Sequence, residues 1–369
     1  MVESMYQSIQ TILKTIRSRA VTIPLLRTQD WWMGKAIPYL AIATLSIVKY
    51  QPSVTTSSLL IQLAVFLVVV FCIASFGFLL NDYCDQSQDH LSGRSTPVAG
   101  VDRRLVIALM VLLLGTSLVL LFQLPGGLLA SYIVIAEYLL FLLYSVKPVR
   151  LKERGFLGPL ADSLYGHVFP SVTSWIVVAS PTDYLEFNFL LPLLFLTFWQ
   201  LPLGLRHILS HQLECYDSDS RAGEQSFVAV RGRESAGLIV FRYLVPIEAV
   251  GLSLFLLSAL PYSWAALLGV CLLAIRRCMP QISLAPASKQ HEITIFAKPK
   301  RSLAWKVLSK FFHGWFSMLT VVGIIIMDWS RWPLLLGYFL LSPLNAITQI
   351  SLLLEDVFAK PKSHRNARL

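Results

Sequence analysis

Charge is scarce in this sequence: Asp, Glu, Lys and Arg make up 14% of its 369 residues, while 55% are hydrophobic. An average soluble domain carries about 25% charged residues, so the balance excludes one and points to a polytopic membrane protein. Acidic residues are the rarer sign, 21 against 31 Lys and Arg. The resulting +10 does not imply nucleic acid as a partner, because the basic residues lie between apolar runs, where membrane topology explains them. Cysteine is sparse as well. Cys72, Cys84, Cys215, Cys271 and Cys278 show no paired spacing, no CxxC and no zinc pattern, which excludes a disulfide scaffold and demands no oxidising compartment. Cys72 and Cys271 lie inside apolar runs and read as small packing residues. The N-terminus lacks the order of a signal peptide, since Lys14, Arg17 and Arg19 follow its apolar positions and do not precede an apolar core. Residues 1–30 read as an amphipathic cytoplasmic segment lying on the membrane surface.

What the chain does have is a series of apolar runs, at 32–48, 59–80, 105–122, 128–144, 157–178, 189–205, 236–257, 264–275, 311–327 and 333–354. About 20 helical residues cross the roughly 30 Å of bilayer hydrocarbon, so the fold class is an all-α membrane helical bundle with about nine to ten transmembrane helices. Basic residues concentrate in alternate loops: Arg94, Arg103 and Arg104, then 147–154, then Arg206–Arg233, then 276–301. The loops between them carry Lys49, no charge at 124–127, Asp183 with Glu186, and no charge at 260–263. The positive-inside rule makes the first set cytoplasmic, together with the N-terminus; ten spans would return the basic tail 357–369 to the same side. The expected organisation is a bundle at 31–279, a cytoplasmic connector at 280–310 and C-terminal transmembrane helices at 311–356. A bacterial inner membrane and an organelle membrane both suit this pattern.

Against so little charge, the run Asn81-Asp82-Tyr83-Cys84-Asp85-Gln86-Ser87-Gln88-Asp89 stands out. If the preceding helix continues, Asp82, Asp85 and Asp89 fall at i, i+3 and i+7 on one face. Each Asp at mid-membrane costs roughly 2.5–3.5 kcal/mol, so three need compensation, and a hard divalent cation with the phosphates it holds supplies it. A second acidic group, Glu214, Asp217 and Asp219, follows the sixth run on the same side, where two helices of one bundle can bring the clusters together around Mg²⁺. His207 and His211 have metal-ligand spacing, but without HExxH and in an oxygen-rich setting they read as helix-face residues.

Residues 81–89 read NDxxDxxxD and resemble the first signature of the UbiA superfamily of intramembrane prenyltransferases. Gly93 to Gly100 resembles a shortened form of that family's RPxxSG continuation, Tyr144 to Lys152 its basic YSxxPxxxK loop, and DSRAGEQS from Asp219 the end of its second signature. In that second signature Cys215 stands where the family usually has Asp, with Glu214 and Asp217 as substitutes within reach. The resemblance runs from about Arg27 to Arg277. It implies a bundle, usually of nine helices, around a cavity open sideways to lipid. It also implies Mg²⁺-dependent ionisation of a prenyl diphosphate and transfer of the prenyl group to an acceptor. Carried over, Asp82, Asp85, Asp89 and Asp219 are catalytic metal ligands, joined at the metal by Glu214 and Asp217. Asn81, Arg27, Arg94, Lys147, Arg150 and Lys152 would bind the diphosphate. A tenth helix would be additional to the family fold.

Asp162, Tyr165 and His167 sit inside the fifth run, where an ionisable residue is a functional candidate by default. Asp162 and Tyr165, at i and i+3, either orient an acceptor and take its proton or form an interhelical packing pair. Phe195, Phe198 and Trp199 read chiefly as packing residues, with cation–π stabilisation of a carbocation as the alternative. A terpene cyclase on the same scaffold and a non-enzymatic polyprenyl-phosphate carrier remain rival functions. A CDP-alcohol phosphatidyltransferase is excluded by the absence of its DGxxAR pattern.

Overall fold

The computed structural model describes residues 23–91, 96–180, 183–223, 225–283 and 303–341. The N-terminal segment, most of the connector and the basic tail lie outside them. Among the described residues every regular element is helical, as the apolar runs predict, and the described part of each run lies almost wholly in a helical rod. In chain order these are α1 (28–50), α2 (Thr56–Leu91), α3 (Arg103–Leu121), α4 (Gly127–Ser145), α5 (157–176), α6 (Phe187–Ala222), α7 (Arg233–Ser258), α8 (Trp264–Ser283), α9 (303–327) and α10 (Pro333–Leu341). Six of them are long and apolar enough to cross a membrane by length and composition alone. α8 runs past the short apolar stretch expected at 264–275, and α9 begins at Leu303, well before Phe311, so both helices extend into the predicted connector.

The rods close into a bundle. α1 packs on α2, α5 and α9; α2 on α3 and α4; α4 on α5; α6 on α5 and α7; α8 on α7 and α9. α3 is the least buried of the six long spans, and Leu105, Val111, Leu112 and Val119 on it are exposed, as a lipid-facing surface requires. Hydrocarbon gives apolar helices no reason to prefer each other over lipid, so close backbone approach carries the association. Gly251 of α7 is such a point: a Cβ there would lie 2.8 Å from the Cα of Trp199 on α6. Trp199 itself is fully buried, stacked on Phe255 and edged by Phe312 and Phe316, and Phe198 is exposed, which bears out their packing reading.

α2 and α6 are each 36 residues long, about 54 Å at 1.5 Å per residue, well over the hydrocarbon thickness. Their C-terminal turns therefore reach past the apolar slab on the face where α1 and α5 begin. The opposite face is tied by Arg331, 4% exposed, which bonds the carbonyls of Val54 and Pro52 and anchors the α9–α10 hairpin to the loop before α2.

α6 and α7 are also joined by a fully buried ion pair. Arg206 donates to both carboxylate oxygens of Glu248, at 2.5 and 3.0 Å. Removing one partner from such a pair strands the other's charge, at about 3–5 kcal/mol, whereas replacing both is often neutral. We expect Glu248→Ala to lose roughly that amount and Arg206→Met/Glu248→Leu to recover most of it. Thermal unfolding in detergent decides it, and a double variant no more stable than the single one sinks the coupling.

Candidate active site

α2 stays helical through the whole NDxxDxxxD segment, so Asp82 and Asp85 sit on one face at the rim of the bundle. Asp82 is 3% exposed and accepts a 3.0 Å bond from Arg27, whose guanidinium also stacks on Phe78. Asp85 is held twice. Arg150 donates to it at 2.9 Å, and Lys152 grips both its oxygens while also bonding Oδ1 of Asn81 at 3.2 Å. Arg150 is itself buried, bound to the Ser145 carbonyl and to Glu153. The helical backbone of Asp89 is described but its side chain is not, and Arg94 lies outside the described residues. Lys147 is exposed.

Arg27 and Arg150 are the described non-glycine residues with left-handed backbone, at φ 49° and 39°. That conformation costs an L-residue roughly 1–2 kcal/mol. Both pay it at the turns that aim a guanidinium at an acid of α2, and strain of this kind persists where surrounding contacts over-determine it. Among these described side chains three cations (Arg27, Arg150, Lys152) meet three carboxylates (Asp82, Asp85, Glu153). These six side chains balance one another in charge.

The second motif has a local structural logic. Gly223 ends α6 with a left-handed φ of 69°, its N–H bonding the carbonyls of Asp219 and Ser220. Ser226 then caps the next short helix, Phe227–Arg231, by accepting from the Ala229 amide at 3.2 Å. Asp219 is 6% exposed, on the last turn of α6. Glu214 and Asp217 are exposed, and Asp217 faces Arg233 at 3.7 Å across the surface. Among the described residues no three His, Cys, Asp or Glu side chains converge as a preformed metal cluster. The donors themselves fit Mg²⁺: the Asn81, Asp82, Asp85 and Asp219 side chains offer hard oxygens, the ligand type that ion prefers.

Beneath the rim lies a cavity of about 280 Å³. The α2 wall is apolar over more than three turns (Phe66, Val70, Ile73, Ala74, Gly77, Phe78), ending at Asn81. Gly77 lets α4 approach, since a Cβ there would fall 2.6 Å from the Phe141 ring. Tyr165 donates to Asp162 at 2.5 Å, and its ring packs on Phe141 and Tyr144. Asp162 and Tyr165 therefore both line the cavity, with their mutual bond made as their spacing allows. His211 also lines it, while His207 lies between His167 and His313, 3.2 Å from each.

Proline shapes this interior. A proline has no N–H for the carbonyl four residues back. Pro38 and Pro170 each follow a π-helical turn, at Trp32–Ala36 and Leu164–Val168. The carbonyl that Pro170 leaves free, on Gly166, accepts from Tyr39 at 2.5 Å. The backbone of Gly34, four residues before Pro38, is bonded by His313. Cavity residues Lys35, Tyr165 and Gly166 all ride on these widened turns.

A sequence profile described as the UbiA prenyltransferase family matches residues 40–298. The chain belongs to that family. Its fold is similar to a UbiA homologue from Archaeoglobus fulgidus solved with DMAPP and Mg²⁺, at 15% identity and TM-score 0.53, covering 82% of this chain and 99% of that one. A second structure of a UbiA homologue from Archaeoglobus fulgidus matches with the same identity and TM-score, covering 82% and 98%. At this identity the likeness shows the fold alone. A search of curated proteins finds no match.

α9 and α10 lie beyond the residues that the UbiA family profile matches. Two charged cavity residues, Lys35 and Glu137, escaped the sequence reading, each being a single ionisable residue in an apolar run without a motif around it. The intramembrane rule that singles out Asp162 singles them out equally.

Tyr39→Phe would strip the Gly166 carbonyl of its donor, at about 1–3 kcal/mol for a buried unmade bond. Restoring an N–H with Pro170→Ala in that background should return part of the loss. Detergent melting curves of the single and double variants test this, and an unchanged midpoint in Tyr39→Phe refutes it.

Proposed function

We propose that this UbiA family protein is an integral-membrane prenyltransferase that ionises a prenyl diphosphate and transfers the prenyl group to an acceptor. The observation that carries the reading is the juxtaposition at α2: Asn81, Asp82 and Asp85 with three cations at the rim, opening onto a cavity whose α2 wall is apolar. The A. fulgidus homologue solved with DMAPP and Mg²⁺ supports the same donor class. By the basic-loop pattern the rim faces the cytoplasm.

Asp82, Asp85 and Asp219 would hold Mg²⁺, with Asp89, Glu214 and Asp217 as further candidate ligands from the motifs. When bound, Mg²⁺ would neutralise diphosphate oxygens and draw charge onto the leaving group. With Arg27, Arg150 and Lys152 already engaged by carboxylates, that added positive charge would be needed before a diphosphate could settle. Arg150 and Lys152, then shared between Asp85 and diphosphate oxygens, stabilise the negative charge that grows as the C1–O bond breaks and its electron pair leaves with diphosphate. Arg27 and Asn81 fix the other end of the group, and Arg94 and Lys147 add cations at its approach. The apolar wall of α2, with Phe141 of α4, keeps water from the allylic cation. The acceptor's nucleophilic atom bonds to C1, and its proton passes to the Asp162 carboxylate, which Tyr165 orients.

Cyclisation of the donor alone is the second reading. Lys35 and Glu137 in the space beneath the rim favour a polar co-substrate over a purely hydrocarbon occupant. Diphosphate release from purified protein with Mg²⁺ and C5–C20 prenyl diphosphates separates the two. We expect release to depend on added membrane extract and to fall at least about a hundredfold in Asp85→Ala, the scale of a lost charge-stabilising group. Release without any acceptor, giving hydrocarbon or alcohol, favours the cyclase. Full release in Asp85→Ala refutes the site.

A further inference from the structure

About 8–12 Å below the rim, counted along the helices at 1.5 Å per residue, the cavity carries charge again. Lys35 from α1, Glu137 from α4 and Asp162 from α5 line one space. Glu137 is 1% exposed, and its Oε2 has no hydrogen-bond partner among the described residues. Lys35 lies within electrostatic reach of both acids, yet no ion pair joins it to a described side chain. Asp162, by contrast, has Tyr165.

A structural ion pair in a membrane closes to contact, as Arg206 and Glu248 do. Lys35 and Glu137 do not close, and each still faces the cavity with capacity to spare. Hydrocarbon offers these groups nothing, so a prenyl tail alone would leave an ammonium and a carboxylate oxygen unpaired at membrane depth. Their spare capacity has a definite chemistry. The Glu137 carboxylate, which lines the cavity without a hydrogen bond to a described residue, needs an O–H or N–H donor, and the Lys35 ammonium needs an oxygen acceptor. Of the two Lys and Arg side chains lining the cavity, Arg27 is paired with Asp82 and Lys35 faces two acids, so an anionic ligand head would add charge with nothing to balance it.

We propose that Glu137 and Lys35 recognise the head of the second substrate, and that this substrate is an uncharged molecule presenting a hydroxyl to Glu137 and a second oxygen to Lys35. The inference rests on the prenyl-transfer reading and assigns these two as specificity residues, separate from the diphosphate rim.

The test titrates the full chain in detergent, with Mg²⁺, against hydroquinone, 4-methoxyphenol, 1,4-dimethoxybenzene and 4-hydroxybenzoate. Hydroquinone should bind at least about tenfold more tightly than its dimethyl ether, the scale of one buried hydrogen bond, and no more weakly than the benzoate. Glu137→Leu and Lys35→Met should each reduce the preference for hydroquinone to under about threefold, and Glu137→Gln, which keeps an acceptor oxygen, should restore part of it. Mg²⁺-dependent affinity for geranyl thiodiphosphate should stay within about threefold throughout, which also certifies that each variant is folded. Should Glu137→Leu fail that check, Lys35→Met decides. Equal binding of the ethers, binding of none, preference for the benzoate, or an unchanged preference in Lys35→Met overturns the proposal. Loss of thiodiphosphate binding in the unaltered chain would instead overturn the prenyl-transfer reading, and a hydroxyl preference surviving it would leave this subsite in place.

Discussion

A carboxylate at the edge of a bilayer must be neutralised, and the grip of Arg150 and Lys152 on Asp85 is how this fold does it. Much of the architecture serves that contact. α2 has to outrun the membrane so that its acids emerge at the rim. The chain leaving α4 has to turn back sharply enough to bring Arg150 under Asp85, and it does so through a left-handed residue that ordinary sterics disfavour. Arg27 repeats the arrangement on Asp82 from the start of α1. Two strained arginines, from segments more than a hundred residues apart, converge on consecutive turns of one helix. The rim is therefore assembled at the cost of local strain, and the ion pairs are what hold it.

Proline supplies the second constraint. In hydrocarbon a freed backbone carbonyl has no water to turn to, so each proline inside a span obliges a neighbour to provide a donor. Tyr39 provides it for Gly166 and His313 for Gly34. The π-helical turns that accompany these prolines rotate the following residues relative to an ideal helix, and single-turn widenings of this kind gather at functional sites. Here they carry Lys35 on one wall and Tyr165 on another. The same two prolines thus tie α1 to α5 and α9 and shape the interior of the cavity.

Much of this was open to reading from residues alone. Apolar runs located every rod, because about 20 apolar residues have one stable fate in a membrane, and the i, i+3, i+7 spacing placed Asp82 and Asp85 on one face. Asp162 and Tyr165 were found by their improbability inside a span. Helix extents were less legible: α8 and α9 reach into the connector through Arg276, Arg277 and Lys306, whose charge hides the helix from a hydropathy reading. The π-helical turns had a signal in Pro38 and Pro170, but their capture by Tyr39 and His313 depends on tertiary contact and has none.

The interior holds two groups of polar side chains that differ in how far they are satisfied, and the difference sorts structure from chemistry. On the α6 and α7 side, Arg206 is bidentate to Glu248. A polar group that satisfies itself in this way rigidifies a bundle and asks nothing of a ligand. On the α1, α4 and α5 side, Lys35 and Glu137 share a cavity without closing on each other. Both groups carry a similar desolvation burden, yet only the first recovers it within the protein. The second is left to recover it from whatever enters, which is the ground for the proposed recognition of substrate on α1 and α4, with the far wall holding them in position.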